Sequence, residues 1–322
     1  MRQRPLPKKA VFLFQVAFAV GLLVLLWRIV EGDEALRLLA RAEPWWLFAS
    51  FGALTLQTVL SALRWRLTAS QLGIMLTRRL AVKEYYLAQM VNQALPGGIV
   101  GDASRAVRAR AHAGLMVSSQ AVVLERFAGQ VALAALMFVG FGIAVFLPTE
   151  FSWLGGLALV IGLLLLGAVV SAVVLITLAR RSTGRVGRGV VSWGSAARAA
   201  LLAPSVRWCQ IGLSLATALS NVAGFTFAAW AIGSHLPAIT ALVLVPVILL
   251  AMLVPLTISG WGVREGAAVA LFPLAGIAAV EGLAASVAFG LVFFVAALPG
   301  LVFAGGRRRD RSAHNNASGM TT

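Results

Sequence analysis

The chain has 322 residues, of which 60% are hydrophobic and 12% charged, with a mean hydropathy of +0.91 and a formal net charge of +16. Soluble domains are roughly 45–50% apolar and about 25% charged, so a water-soluble globule is excluded and lipid is the solvent for much of the fold. The lone Cys209 excludes an internal disulfide, and the scattered His112, His235 and His314 give neither metal-ligand nor Ser-His-Asp spacing. No metal and no cofactor is expected.

Read in chain order, residues 1–9 are a basic N-terminus, and the apolar run 10–27 lacks a small-residue cleavage site, which suits a signal anchor. Further runs long enough to cross a bilayer cover about 45–63, 120–147, 154–179, 209–232, 238–258, 262–279 and 282–304. The expected fold is all-α: a polytopic membrane bundle of about eight spanning helices over 10–304, with one or two re-entrant or broken helices. Arginine-rich segments precede the first run and follow the second, fourth and last, including Arg64, Arg66, Arg180, Arg181 and Arg307. An even number of crossings puts all of them on one side, so both termini are expected in the cytoplasm of a cell membrane. The same rule accounts for the positive charge; no groove-reading motif accompanies it, and no nucleic-acid partner is expected.

The link from Arg180 to Arg207 mixes arginines with Val, Trp and Leu, and suits a headgroup-level helix or a solvated loop equally. The tail 305–322 is polar and basic, and is expected to be disordered and drawn to anionic lipid.

Two segments depart from plain lipid-soluble helix. The first, 84–105, lies between arginines and contains Asn92, then Pro96-Gly97-Gly98, then Gly101-Asp102 and Arg105. Proline and glycine break a helix, and irregular backbone at membrane depth survives only against protein or a watery cavity. A re-entrant segment is expected, with Asp102 or Ser104 capping a second half-helix that carries Arg105, Arg108 and Arg110. The spacing Gly97-x-x-x-Gly101 admits helix packing but is expected to serve the turn. The second segment repeats the pattern: Pro255, then Gly260 and Gly262, then Arg264-Glu265. Paired interrupted segments, one in each half, point to a transporter site. Two adjacent charge pairs, Glu125-Arg126 and Arg264-Glu265, fall inside apolar runs, where they neutralise each other, pair across helices or snorkel to the interface.

The Asn92…Pro96-Gly97-Gly98…Gly101-Asp102…Arg105 run, the Glu125-Arg126 pair and Pro255…Gly260-Trp261-Gly262-Val263-Arg264-Glu265 together resemble the flippase-like family that includes the membrane region of lysylphosphatidylglycerol synthases. The resemblance covers most of 10–304. It implies translocation of a charged or lipid-linked headgroup, with Asn92, Asp102, Arg105, Arg108, Glu125, Arg126, Arg264 and Glu265 in or beside its path. The synthases carry a further cytoplasmic domain that transfers the aminoacyl group, and residues 1–322 do not include it, so no covalent catalysis is expected of them. The alternatives are a membrane enzyme acting on lipid-linked substrates, for which no DxD or nucleotide loop appears, and an accessory subunit. Expected partners are a membrane phospholipid or lipid-linked substrate, with a second copy or a separate synthase left open.

Overall fold

The computed structural model describes residues 8–30, 32–95, 99–146, 177, 184–253 and 260–303. Among them all regular structure is helical. In order these are α1 (Lys8–Ile29), α2 (Gly32–Ala40), α3 (Pro44–Gln71), α4 (Arg78–Ala94), α5 (Val100–Val145), α6 (Arg185–Ala197), α7 (Arg207–Ala231), α8 (Ala238–Ala251), α9 (Val263–Leu271) and α10 (Ala279–Ala297). A π turn, Arg198–Leu202, follows α6, and a 3₁₀ turn, Phe272–Ala275, follows α9.

The long helix α3 starts with Pro44 in its first turn, where the missing N–H is harmless. It ends at Gly73, whose φ of 83° suits glycine, while Ile74 N–H donates back to the Ala69 carbonyl at 2.9 Å. Thr77 then caps α4, its hydroxyl accepting from Leu80 N–H at 3.2 Å. Thr77→Ala is expected to lower stability by about 1 kcal/mol, seen as a lower thermal midpoint of the purified protein.

Helix α5 is two antiparallel arms. Its backbone leaves helical geometry at Ala113 and at Gly114, where φ is 79°. Asp102 and Arg126, which a straight helix would hold about 36 Å apart, form an ion pair at 2.7 Å. Helix α4 and the first arm therefore make a hairpin that starts and ends at one end of the bundle. There Ile74 and Leu76 pack with Ala109 and Ala113.

The second half repeats this construction upside down. Helix α7 ends at Gly233 (φ 81°), with Ser234 N–H donating to the Ala229 carbonyl at 3.1 Å, 160 positions after the matching turn at Gly73. Helices α8 and α9 form the second hairpin, which closes at Gly276 (φ 72°) as the first closes at Gly114. Helices α3 and α7 run antiparallel: Glu43 N–H meets the Ala231 carbonyl at 2.7 Å, Ser50 Oγ the Gly224 carbonyl at 2.7 Å, and Gln210 Nε2 meets Thr68 Oγ1 at 2.8 Å. The two hairpins thus enter from opposite ends, in the manner of an inverted repeat.

The expected count of about eight spans is not confirmed. The runs 238–258 and 262–279 are occupied by α8, of 14 residues, and α9, of 9 residues. At 1.5 Å per residue these reach about 21 and 14 Å, short of a core about 30 Å thick. Among the described residues, four helices are long and apolar enough to cross: Pro44–Gln71, Ala113–Ala144, Arg207–Ala231 and Ala279–Phe303. The run 154–179 apart from residue 177, the ends 1–7 and 305–322, and the expected helix-break residues Pro96, Gly97, Gly98 and Pro255 lie outside the described residues. The Arg180–Arg207 link is helical over 185–202: α6 packs on the bundle through Ala196 beside Leu124, and Ser192 accepts from Gln120 at 3.1 Å.

Candidate functional site

Charge at membrane depth must be paired or reach water. In the first half it is paired across three helices. Glu125, on the second arm of α5, is fully buried. Its Oε1 accepts from Arg64 Nη2 at 2.6 Å and from the Tyr85 hydroxyl at 3.3 Å, and its Oε2 from Arg105 Nη2 at 3.1 Å. Arg105 also reaches Asp102 Oδ1 at 3.1 Å, and its guanidinium lies between the rings of Trp65 and Tyr85, 4.5 Å from each centroid. Asp102 Oδ2 accepts from Asn92 at 3.2 Å and pairs with Arg126 at 2.7 Å. Glu125 and Arg126, adjacent in sequence, therefore face different partners.

The hairpin tip is built differently from the sequence expectation. Neither Asp102 nor Ser104 caps the half-helix. Ile99 occupies the N-cap with no side-chain bond, and Asn92 Oδ1 reaches over from α4 to accept from Gly101 N–H at 2.7 Å. Asp102 is occupied by arginines, and Ser104 Oγ donates to the Gly101 carbonyl at 2.6 Å while accepting from Arg108 at 2.9 Å. Gly101 is a packing position: a Cβ there would collide with the Ala88 carbonyl of α4. Arg108 pairs with Glu84.

The second half carries a smaller version. Arg264, 159 positions after Arg105, pairs with its neighbour Glu265 and donates to Ser286 Oγ at 2.9 Å; it lies 5.0 and 5.3 Å from the ring centroids of Trp261 and Phe289. Glu265 also accepts from Gly262 N–H at 2.6 Å, pinning the start of α9. Ser286 stands where the first half has Glu125, 161 positions earlier. At the same offset, Gly129 and Gly290 leave room for the guanidinium groups of Arg64 and Arg264 respectively. Conformationally free glycine at Gly260 (φ 79°) and Gly262 (φ 88°) forms the turn into α9.

Two cavities flank the first charge network. The smaller, about 290 Å³, lies among Trp65, Leu76, Leu80, Glu84, Arg105, Arg108 and Ala109. The larger, about 490 Å³, lies between the two hairpin tips, with Asn92, Ile99 and Asp102 on one side and Met252, Leu253 and Gly260 on the other. Among the predicted site residues, Asn92, Asp102 and Arg126 line this larger cavity, as does the helix-break residue Gly260. Arg126 is 43% exposed at its side chain, whereas Arg105 is 0% and Arg264 2%.

Sequence reasoning missed Arg64, Trp65 and Tyr85 and the carboxamides of the larger cavity: Gln57, Gln89, Gln93, Gln130 and Asn221. For Arg64 a signal existed. No proline or glycine separates it from Gln71, so α3 continues past it, and Gln57, Ser61, Arg64 and Thr68 recur every three or four residues on one face.

The sequence pattern of the lysylphosphatidylglycerol synthase TM region matches residues 12–300, which takes in both hairpins and the whole wall of the larger cavity. The chain belongs to this family. No curated protein and no solved structure matches it. As a lysylphosphatidylglycerol synthase TM-region protein it is a membrane protein, and Arg64, Asp102, Arg105, Glu125, Arg264 and Glu265 are buried within its helical bundle.

Proposed function

We propose that this protein is a lipid translocase that carries an anionic lipid headgroup between leaflets, without covalent chemistry. One observation carries the reading: two inverted hairpins bring their tips together on one cavity with a partly exposed arginine in its wall. Ile99, the N-cap of the first half-helix, also lines it, and such a terminus favours negative charge; Gly260, in the turn into α9, lines the opposite side. Arg126, held by Asp102, is the group that meets phosphate, by charge-assisted hydrogen bonds. The exposed apolar Val123, Phe127 and Leu253 lie on the same wall and give acyl chains a route to it. Rocking one half against the other then exposes the headgroup to each side in turn.

Purified protein reconstituted in vesicles is expected to speed the transbilayer movement of fluorescent phosphatidylglycerol, and Arg126→Gln to abolish the increase. Wild-type vesicles with the same rate as protein-free ones, across anionic and polyprenyl lipids, would refute it.

The membrane path in this reading takes α1, α3, the second arm of α5, α7 and α10 as crossings, and its total is six. The second arm of α5 ends beside the start of α8, where Gly140 meets Leu242, and α7 starts at the opposite end beside Thr68; one further crossing must join them. The even count keeps both termini on the side of the exposed Arg78, Arg79, Arg110, Arg188 and Arg198, the cytoplasmic side of the cell membrane. With Cys209 replaced by serine, Ser259→Cys tests the path. Eight crossings make position 259 a cytoplasmic loop that an impermeant maleimide labels as fast as Arg110→Cys. Six crossings put it between the cavity-lining Leu253 and Gly260, and labelling is expected to be at least tenfold slower.

A further inference from the structure

The two cavities meet at a single layer of side chains. Trp65 lines the smaller and Tyr85 the larger, and the Arg105 guanidinium lies 4.5 Å from the centroid of each ring. Arg105 itself borders the smaller cavity, while Asp102, to which it donates at 3.1 Å, borders the larger. Ring, guanidinium and ring therefore form the partition. The smaller cavity sits at the base of the first hairpin, beside Leu76, Leu80 and Ala109, at the end that carries the exposed Arg78, Arg79 and Arg110. Arg108 on its wall has a side chain 26% exposed, so the space reaches the surface there.

The second half is an internal control. At the offset of 159–160 positions that relates Arg105 to Arg264 and Gly73 to Gly233, the places of Trp65, Leu76, Glu84, Arg108 and Ala109 are taken by Phe225, Leu236, Leu244, Ala267 and Ala268. Phe225, Leu236, Leu244 and Ala268 are buried in one apolar core, with the Phe225 ring 5.3 Å from that of Phe289. Close packing is the default of protein interiors, and a buried ion pair is often exchanged for apolar groups without loss. This fold closes the place with solid core in one half and keeps a space bordered by the Glu84–Arg108 pair in the other. The layer over that space has room to move. Asp102 and Glu125 each hold a second arginine, Arg126 and Arg64, so neither is stranded when Arg105 swings. The smaller cavity offers about 290 Å³ to swing into, with Glu84 on its wall.

We infer that the Trp65–Arg105–Tyr85 layer is a gate, and that the larger cavity is entered through it from a vestibule at the base of the first hairpin. The inference rests on the translocase reading only for what passes the gate.

The test follows access to the larger cavity in the full chain, with Cys209 replaced by serine and Asn221→Cys, on α7, as the reporter in the cavity wall. A small membrane-impermeant thiosulfonate is applied to membrane vesicles of either orientation, and the labelling rate follows the population of the open gate. Trp65→Ala is expected to raise the rate about tenfold, and only from the face that carries Arg110. Arg105→Lys keeps the charge but loses the flat stack, is expected to act in the same direction, and decides the matter if Trp65→Ala is not monodisperse. Adding Ala109→Phe to Trp65→Ala refills the vestibule and is expected to return the rate to its starting value. Phe225→Ala opens a hole at the matching place in the second half and is expected to change nothing. Unchanged rates in both gate variants, acceleration from the opposite face, or equal acceleration by Phe225→Ala overturns the inference. Gated labelling without accelerated lipid movement upholds the gate and rejects the translocase; accelerated lipid movement with labelling unmoved by the gate variants does the reverse.

Discussion

Glu125→Ala is expected to destabilise the protein by about 3–5 kcal/mol, the usual consequence of removing one member of a buried charge network. Glu125 has no solvent exposure and holds two guanidinium groups from different helices. Without it, Arg105 keeps Asp102 and its two aromatic rings, but Arg64 loses its ion-pair partner. An arginine stranded at that depth can only draw in water or push its helix toward the interface, and α3 is clamped against α7 along much of its length. Glu125→Gln keeps the shape and loses the charge, and is expected to recover only a minor part. Glu125→Leu with Arg64→Met removes charge and partner together and is expected to recover most of the loss, because a buried pair replaced by apolar groups is often neutral. The measurement is the unfolding midpoint in a mild detergent, with monodispersity after heating as a second readout. A single variant that unfolds at the wild-type temperature would mean that water already reaches Glu125. Arg126→Gln makes the contrast: its side chain is partly exposed and Asp102 retains Arg105, so the expected stability change is about 1 kcal/mol or less.

That contrast marks how far the sequence could be read. The first hairpin was legible because arginines on both sides of 84–105 forced the chain to return to its starting face, and Asn92, Asp102, Arg105, Glu125 and Arg126 do meet there. The second hairpin was half legible. Its Pro/Gly/Arg pattern resembled the first, yet the apolar runs on either side were long enough in sequence to count as crossings. Hydropathy measures how apolar a run is and is blind to whether the helix within it is continuous. The roles of individual charges were less legible still. Arg64 lies two residues from Arg66 after an apolar run, the composition of a cytoplasmic loop, yet Arg64 points into the bundle toward Glu125 while Arg66 donates to the Leu76 carbonyl at 2.8 Å. Only the helical phase distinguishes them. The carboxamides of the larger cavity come from α3, α4, the second arm of α5 and α7, and no local pattern announces a wall assembled from four helices.

Arg264→Ala is expected to cost about as much as the Glu125 change, about 3–5 kcal/mol, because it leaves the fully buried Glu265 with only Gly262 N–H and Ser286. Ser286→Ala removes one hydrogen-bond partner and is expected to cost about 1 kcal/mol. The decisive variant changes both charges, Arg264→Met with Glu265→Gln. Its glutamine oxygen can still accept from Gly262 N–H, and the methionine still fills the space between Trp261 and Phe289. Stability is then expected to return close to wild type. If Arg264 and Glu265 serve only to fix the turn into α9, as their absence from the cavity wall argues, this folded variant should move lipid at a rate within about threefold of wild type, since it loses none of the groups that face the headgroup. Arg126→Gln, equally well folded, should lose that movement. A well-folded double variant that is inactive would show instead that the Arg264 guanidinium leaves Glu265 and takes the phosphate partway through the cycle. The second hairpin would then be the moving carrier and the first its fixed counterpart.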